Sequence, residues 1–446
     1  MAKPKSKELT TQQELQMENA LDIQARHQDE LLKLANVNMV GVGWIYKDGV
    51  KTGEIGLITN VEKKVDVSSL KSGDVIPREI DGVKTDVQQV GKLVITSMLP
   101  EDNLGVVKYE AQGQGVDYRS KIRPLTTGYS LGNKNITAGT TGYFAERDGE
   151  IGVTSNAHVE CSDPSKPMNE QTSWQVMQPG PTDGGQEPEV ATLKTFVQIN
   201  ASSTINYVDS AWSLLKDQEN YELVVPEIGV CEAVDYTLPY IGENIRKVGR
   251  TTGLTSDDVS QINITATVDY GTFKATFREL TATPSMSAGG DSGSIGYVVE
   301  NKMKYRLFAG SAAVTLYFRI SKEISKLRLI PLFGGSPGPG PSPGDVEVNF
   351  TLEKDSATTE YRVYGVVKEQ NGDPIDGSEV ELKGDGVEEK AQTDEFGNYE
   401  FTEVLGGQYA MTASKGGFKT YAKTVEIGSS STKVSSPTKL NLKKKK

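Results

Sequence analysis

Three short segments of the sequence contain residues that could carry out chemistry together. Ser292 lies in a glycine-rich turn, Gly-Asp-Ser-Gly-Ser. His158 ends the run Thr-Ser-Asn-Ala-His, directly after a β-rich segment, and Asp209 lies in a short apolar strand, Tyr-Val-Asp-Ser-Ala-Trp. A serine hydroxyl becomes a strong nucleophile only when a neighbouring base accepts its proton, and a neutral imidazole suits that role. The three residue types therefore predict nucleophilic catalysis by a serine.

Such a site also needs a carboxylate for the imidazole and donors for the charge that develops on the substrate oxygen. Asp209 is favoured as the carboxylate because of its strand context, with Asp163 and Asp217 as alternatives. The backbone N–H groups of Gly290 and Ser292 are the expected donors to this oxyanion, since glycine lets the chain bend to present them. The alternative interpretations are a structural histidine and a plain tight turn.

Histidine and cysteine are scarce, which limits other chemistry. The 446 residues include two histidines and two cysteines, His27, His158, Cys161 and Cys231. Because they lie far apart and in no metal-ligand spacing, a zinc site is not expected. We interpret His27 as a solvated histidine in a helix and the two cysteines as buried free thiols. No metal and no cofactor is expected.

Composition excludes several classes of protein. The net charge of -12 argues against nucleic acid as a partner, because neutralising phosphates needs an excess of basic residues. No run approaches the roughly 18 apolar residues of a membrane-spanning helix, so no membrane insertion is expected. The start of the chain has no apolar segment of a secretory signal. The expectation is a cytoplasmic protein, with a virion or a specialised export route as alternatives.

Shifts in composition divide the chain into five segments. Residues 9–34 predict one amphipathic helix, and strand-rich segments with glycine-containing turns follow it. Gly, Ser and Pro alone make up residues 334–344, which favours an extended linker. The predicted organisation is an N-terminal helical segment (1–36), a small α/β extension (37–122), an all-β domain (123–333), the linker (334–344) and a β-sandwich that ends in the basic tail Lys443–Lys446 (345–446).

The segment from about residue 130 to 333 resembles the trypsin-like serine proteases, which have the chymotrypsin fold. The resemblance rests on three separated motifs: those around His158 and Ser292, and Lys247–Leu254, which includes Gly-Arg-Thr-Thr-Gly. It implies a mainly β chain whose central part is a double β-barrel. It also implies a serine endopeptidase that hydrolyses a protein or peptide substrate through an acyl-enzyme intermediate.

The same resemblance implies supporting and specificity residues. Arg250 would pair with Asp291 and so set the turn around the nucleophile without a freed N-terminus. The residue at the base of the specificity pocket carries no charge, so a neutral or apolar substrate side chain is expected. The residues expected to form this pocket are Met286, Phe308, Ala309 and Gly310.

Other segments resemble one branch of this family, the narrow-leaf-type proteins of bacteria and plants. They are Gly41-Val42-Gly43, Thr59–Lys64 and Gln178–Gly185. The branch carries a long α/β extension before the protease and tends to form oligomers. The resemblance therefore implies a homo-oligomer.

The C-terminal segment resembles the carboxypeptidase regulatory-like, transthyretin-type β-sandwich. The motifs are Val363–Val367, Gly372–Ile375, Thr393–Tyr399 and Gly407–Tyr409. In other proteins this module is a non-catalytic appendage used for folding, display or adhesion.

Two other functions compete with the endopeptidase. One is an oligomeric scaffold or binding protein that displays the C-terminal sandwich and does not depend on catalysis. The other is an esterase, which shares the triad but has its nucleophile first and its histidine last on an α/β-hydrolase fold. The order here is His158, Asp209, Ser292, which disfavours the esterase.

Overall fold

The computed structural model describes residues 9–100, 116–201, 204–334, 346–354, 360–369, 375–384, 387–394, 397–405, 407–415 and 421–427. The chain forms two compact units, Met1–Gly335 and Ser336–Lys446. Of the predicted linker, only Gly334 belongs to the described residues. The predicted basic tail lies outside them.

The first unit begins with the helix α1 (Thr11–Leu31), which confirms the predicted N-terminal helix. A capping box starts it: the Thr10 side chain accepts from the backbone of Gln13, and the Gln13 side chain accepts from the backbone of Thr10. Its apolar face, which includes Ala20, Ile23 and Leu31, is buried. His27 is 29% exposed, and its Nε2 lies 3.1 Å from an Asp81 oxygen.

Strands make up most of the regular secondary structure of this unit. In chain order they are β1 (Val37–Lys47), β2 (Val50–Val61), β3 (Glu79–Ile80), β4 (Val83–Gln89), β5 (Val94–Ile95), β6 (Leu125–Thr126), β7 (Ser130–Asn133), β8 (Gly139–Thr140), β9 (Phe144–Arg147), β10 (Glu150–Ser155), β11 (Gln175–Met177), β12 (Ala191–Phe196), β13 (Ala211–Leu215), β14 (Tyr221–Glu222), β15 (Val224–Val225), β16 (Gly229–Val230), β17 (Asn244–Gly249), β18 (Gly253–Asp258), β19 (Gln261–Asp269), β20 (Lys274–Pro284), β21 (Ile295–Tyr297), β22 (Met303–Gly310), β23 (Val314–Arg319) and β24 (Ile330–Pro331). The helices α2 (Ala157–Glu160) and α3 (Ile320–Leu327) follow β10 and β23.

Two large sheets organise these strands. The first has eight strands in the order β24-β9-β10-β13-β12-β11-β7-β8. The second has twelve, in the order β18-β17-β21-β22-β23-β20-β19-β1-β2-β4-β3, with β5 pairing both β19 and β22. Each sheet covers its own apolar core, whose largest fully buried side chains include Phe144 in the first and Phe277 and Phe308 in the second.

The strands of the predicted α/β extension continue the second sheet. Strand β1 pairs antiparallel with β19, with Met39 opposite Ala266. Strand β2 pairs with β1, and β4 joins β2 in parallel. The N-terminal strands therefore share one hydrogen-bonded sheet with the strands that lead to Ser292.

The second unit is a β-sandwich, as predicted. Its strands are β25 (Val346–Lys354), β26 (Glu360–Glu369), β27 (Glu379–Gly384), β28 (Val387–Gln392), β29 (Asn398–Leu405), β30 (Gly407–Ser414) and β31 (Tyr421–Ile427). They form two sheets, β25-β26-β29 and β28-β27-β30-β31. Their shared core includes Val363, Leu382, Tyr409 and Met411. The mainly β fold class is thus confirmed in both units.

Two smaller expectations concern cysteines and membranes. Cys161 and Cys231 are both free and buried, as predicted. Among the described helices, none is long and apolar enough to cross a membrane.

Candidate active site

His158, Asp209 and Ser292 meet at one point between the two large sheets. The Nδ1 atom of His158 lies 2.6 Å from Asp209 Oδ2, and its Nε2 atom lies 2.8 Å from Ser292 Oγ. The imidazole therefore bridges a carboxylate and a hydroxyl, one through each ring nitrogen. The carboxylate that contacts His158 therefore belongs to Asp209, and not to the alternatives Asp163 and Asp217.

The first sheet positions the histidine and the aspartate. His158 lies on α2, one turn of helix that begins directly after β10, and Asp209 precedes β13, the strand paired with β10. The Asn156 side chain donates to the backbone oxygen of Asp209 at 2.7 Å, and the His158 N–H donates to Asp209 Oδ1 at 3.2 Å. These bonds hold the Asp209 carboxylate and the backbone of His158 in one relative orientation.

The turn around Ser292 connects β20 to β21 in the second sheet. Gly290 and Gly293 both have φ of +96°, a left-handed conformation that side chains rarely adopt. A Cβ at Gly293 would also lie 2.4 Å from the Thr140 oxygen. Within the described residues, the N–H groups of Gly290 and Ser292 have no hydrogen-bond acceptor. These two predicted oxyanion donors therefore have no partner among the described residues.

The predicted pairing of Arg250 with Asp291 is wrong. Arg250 makes a two-point ion pair with Asp183, through Nε and Nη2 at 2.6 Å each. Asp291 instead pairs with Lys247, whose Nζ lies 3.2 Å from Oδ2, both side chains being fully buried. Lys247 lies within β17, whereas Arg250 follows the end of that strand, so only Lys247 is held against the buried carboxylate.

The Asp291 carboxylate is compensated by hydrogen bonds as well as charge. Thr252 donates to it from its hydroxyl at 2.7 Å, and Thr251 and Ala288 donate from their backbones. Burial alone would raise the pKa of Asp291, but the Lys247 ammonium and these donors hold it below its ordinary value. A permanently ionised Asp291 anchors the turn that precedes Ser292.

Tyr270 contributes a fourth contact that the sequence did not suggest. Its hydroxyl donates to Asp209 Oδ2 at 2.8 Å, the same oxygen that faces His158. Burial and the nearby Asp209 charge raise the pKa of Tyr270 well above its ordinary value, so it stays a donor. Burial would raise the pKa of Asp209, yet His158 and Tyr270 together hold it lower. Asp209 therefore remains a carboxylate.

The Arg306–Glu323 ion pair connects the chain segments of all three residues. Both side chains are fully buried and meet at 2.6 Å. Arg306 also donates to the Gly293 oxygen, next to Ser292, and to Thr154 Oγ1 in β10, which leads to His158. Glu323 accepts from Ser210, next to Asp209, at 2.9 Å. One buried ion pair thus holds the three segments in register.

Glu160, two residues after His158, has a buried carboxyl group that receives few hydrogen bonds. Ser213 donates to its Oε2, but its Oε1 has no hydrogen-bond partner in the described part of the chain. Burial raises the pKa of Glu160 to about 8, although Ser213 and Arg306 lower it in part. Glu160 is therefore protonated at neutral pH.

The four residues predicted for the specificity pocket lie in two different cores. Phe308 and Ala309 pack with Tyr270 and Phe277 in one apolar cluster. Met286 packs in another. Gly310 ends β22 next to Ala309. The pocket itself stays a prediction.

Lys247, Tyr270, Arg306 and Glu323 are the positioning residues that sequence reasoning missed. Of these, Lys247 could have been found from the sequence. It begins the motif Lys247–Leu254 and lies in β17, where it takes an inward-facing position. Among the described residues, no cluster of histidine, cysteine and acidic side chains could hold a metal ion.

The chain matches one family model. Residues 362–437 match the model of the carboxypeptidase regulatory-like domain, which confirms the resemblance stated for the second unit. No curated protein matches the chain.

Several solved structures are similar to about half of the chain. Thermobifida fusca protease A is 18% identical, with a TM-score of 0.35, over 47% of this chain and 99% of its own. A Nocardiopsis protease is 16% identical, with a TM-score of 0.34, over 46% of this chain and 98% of its own. A Cellulomonas bogoriensis chymotrypsin is 15% identical, with a TM-score of 0.33, over 47% of this chain and 99% of its own. At these levels, the roles of residues must be inferred from the geometry of this chain itself.

Replacing Glu323 by glutamine should destabilise the first unit strongly, because it leaves the Arg306 charge buried and without its counter-ion. We expect a loss of about 3 kcal/mol in the free energy of unfolding, measured by chemical denaturation. The control is Glu54→Gln, which breaks an exposed pair with Lys84 and should cost less than about 1 kcal/mol. Equal effects of the two substitutions would contradict the role given to the Arg306–Glu323 ion pair.

Replacing Glu160 by glutamine should stabilise the protein in alkaline but not in acidic solution. The unfolded chain loses this proton near the ordinary pKa of 4.5, whereas the folded protein keeps it up to about 8. Stability of the wild type therefore falls as pH rises between these values, by at most about 1.4 kcal/mol per pH unit.

Thermal unfolding at pH 5 and pH 8.5 measures this effect. The melting temperature of Glu160→Gln should exceed that of the wild type at pH 8.5 and match it at pH 5. Glu170→Gln, which changes an exposed carboxylate, is the control and should follow the wild type at both values. An advantage that does not vary with pH would refute a buried, protonated Glu160.

Proposed function

We propose that the chain is a serine endopeptidase that hydrolyses peptide bonds. The observation that supports this most directly is the continuous hydrogen-bonded series from Asp209 through His158 to Ser292, at 2.6 and 2.8 Å. A buried serine, histidine and aspartate in this order, beside two free N–H donors, match the requirements of acyl transfer.

In this proposal each group has one role. Ser292 Oγ attacks the carbonyl carbon of the substrate while His158 Nε2 accepts the hydroxyl proton. Asp209 accepts a hydrogen bond from His158 Nδ1, which leaves Nε2 free to act as the base and stabilises the imidazolium that forms. The N–H groups of Gly290 and Ser292 stabilise the oxyanion.

The second half of the reaction uses the same groups in reverse. His158 gives its proton to the leaving amine, the peptide C–N bond breaks, and an ester to Ser292 remains. A water molecule, deprotonated by His158, then attacks this ester; its C–O bond to Ser292 breaks, the Ser292 oxygen takes the proton from His158, and the acid leaves. No cofactor takes part in these steps.

The remaining expectations about function also stay predictions. A neutral or apolar substrate side chain, a homo-oligomer and a cytoplasmic location belong to the proposal. An oligomeric scaffold that displays the C-terminal sandwich is the second candidate, supported by the separate compact unit Ser336–Lys446.

A fluorophosphonate probe should label the wild-type protein and fail to label Ser292→Ala, because the probe forms a bond with an activated serine oxygen. Labelling is measured by mass spectrometry of the intact protein. Ser68→Ala is the matched control: this exposed serine lies in a short 3-10 helix and its loss should leave labelling unchanged. Labelled Ser292→Ala protein would show that another residue is the nucleophile.

Replacing Tyr270 by phenylalanine should lower kcat about tenfold and leave KM nearly unchanged. The substitution removes one hydrogen bond to Asp209, worth roughly 1.5 kcal/mol for a charged acceptor. It keeps the ring that stacks on Phe273, whose centroid lies 4.8 Å away. Steady-state hydrolysis of a peptide ester separates the two constants. A change in KM alone would contradict a positioning role.

A further inference from the structure

The segment Val90–Pro100, named the strap here, follows β4 and crosses the second sheet beside the catalytic residues. Its strand β5 pairs antiparallel with β22, with Ile95 opposite Ala309 and Val94 opposite Gly310. It also pairs in parallel with β19 at Asp269. The strap therefore fills the gap between the ends of β22 and β19.

This edge of β22 belongs to the predicted specificity pocket. Ala309 and Gly310 belong to the predicted pocket wall, and their other side already pairs with β23. Extended peptides commonly bind to proteins by adding a strand to a free edge of a sheet. At Ala309 and Gly310 both sides of β22 are now in use, so an extended peptide cannot pair there while β5 is in place.

The strap continues from this edge toward the nucleophile. Residues Thr96–Met98 form a 3-10 turn, and a Cβ added at Gly271, next to Tyr270, would lie 3.4 Å from Met98 Cε. The Pro100 oxygen then accepts a hydrogen bond from the Gly289 N–H at 3.3 Å. Gly289 directly precedes Gly290, a proposed oxyanion donor. The strap thus covers the path from the β22 edge to the serine turn.

The reacting atoms are buried in this form of the protein. Ser292 has no exposed surface, and the His158 side chain is 2% exposed. A substrate carbonyl carbon must come within bonding distance of Ser292 Oγ, which this state does not allow. Some part of the chain has to move before the proposed reaction can begin.

The first half of the strap makes more polar contacts with the rest of the unit than its second half does. Ser311 donates to the Val90 oxygen, Asn38 donates to the Gly91 oxygen at 2.8 Å, and Lys92 pairs with Asp269 at 2.8 Å. The second half has a strand of two residues. The hydroxyl of Thr96 is fully buried without a partner in the described part of the chain. Burying an unpaired hydroxyl costs free energy and weakens this half.

We propose that the strap is an intramolecular competitor of the substrate, bound in the cleft of the active site. This inference rests on the proposed function, and it adds the regulation of that site. The described form is closed. Displacement of Val94–Met98 frees the β22 edge, and a protein or peptide substrate in extended conformation takes its place.

Two substitutions should move the labelling rate in opposite directions. Ile95→Asp places an unpaired carboxylate among Leu93, Tyr270 and Phe308 and so expels the strap. Labelling by a fluorophosphonate should become at least tenfold faster. Thr96→Val replaces the unpartnered hydroxyl by a methyl group of similar size, which strengthens the closed form, and labelling should become several-fold slower. Val67→Asp, at a residue that is 63% exposed, is the control and should equal the wild type.

A binding measurement separates this inference from the proposed function. The probe is a fluorescein-labelled peptide with the sequence of residues 92–97, Lys-Leu-Val-Ile-Thr-Ser. Its binding is followed by fluorescence anisotropy to Ser292→Ala protein with and without Ile95→Asp. The double variant should bind the peptide at least tenfold more tightly.

The outcomes are distinct. If no variant is labelled but Ile95→Asp still strengthens peptide binding, the strap is a competitor and the catalytic proposal fails. If folded Ile95→Asp is labelled and binds peptide like its parent, the inference is overturned and the proposed function stands. Should Ile95→Asp fail to fold, Thr96→Val decides, since labelling as fast as the wild type overturns the inference.

Discussion

The geometry of the candidate site depends on one buried ion pair, Arg306 with Glu323. The three reacting side chains come from loops that are far apart in sequence and belong to two sheets. Hydrogen bonds to Gly293, Thr154 and Ser210 connect this pair to all three loops. Two opposite charges in an apolar interior tolerate little displacement, because each loses its counter-ion when they separate. The pair therefore fixes distances that hydrophobic packing alone would leave loose.

The two buried aspartates of the site are kept ionised in the same way. Asp291 faces Lys247, and Asp209 faces His158 and the Tyr270 hydroxyl. In each case a carboxylate that burial would neutralise is kept ionised by donors arranged beforehand. Glu160 lacks such donors and takes up a proton instead. The difference between these carboxyls lies in the number of hydrogen bonds they receive, since all are removed from water.

The sequence was sufficient to predict that Ser292, His158 and Asp209 lie together, and insufficient for the residues that support them. Ser292 and His158 belong to short contiguous motifs, so local spacing identified them, and strand context favoured Asp209. Arg250 was assigned to Asp291 because a motif specifies neighbours along the chain but not which of them reaches the buried carboxylate, Lys247 within β17 or Arg250 just after it. Tyr270 and Glu323 depend on contacts across 61 and 113 residues. The pairing of β1 with β19 is equally long in range, and no periodicity of either strand indicates it.

The shared sheet has a consequence for any shortened version of the chain. A fragment that begins near residue 123 would lack β1, and the outer edge of β19 would present a row of unsatisfied N–H and C=O groups to solvent. Bare edges of this kind associate with one another. Such a fragment would then be prone to aggregation even though it retains His158, Asp209 and Ser292. The N-terminal strands thus protect the edge of the sheet that carries the candidate site.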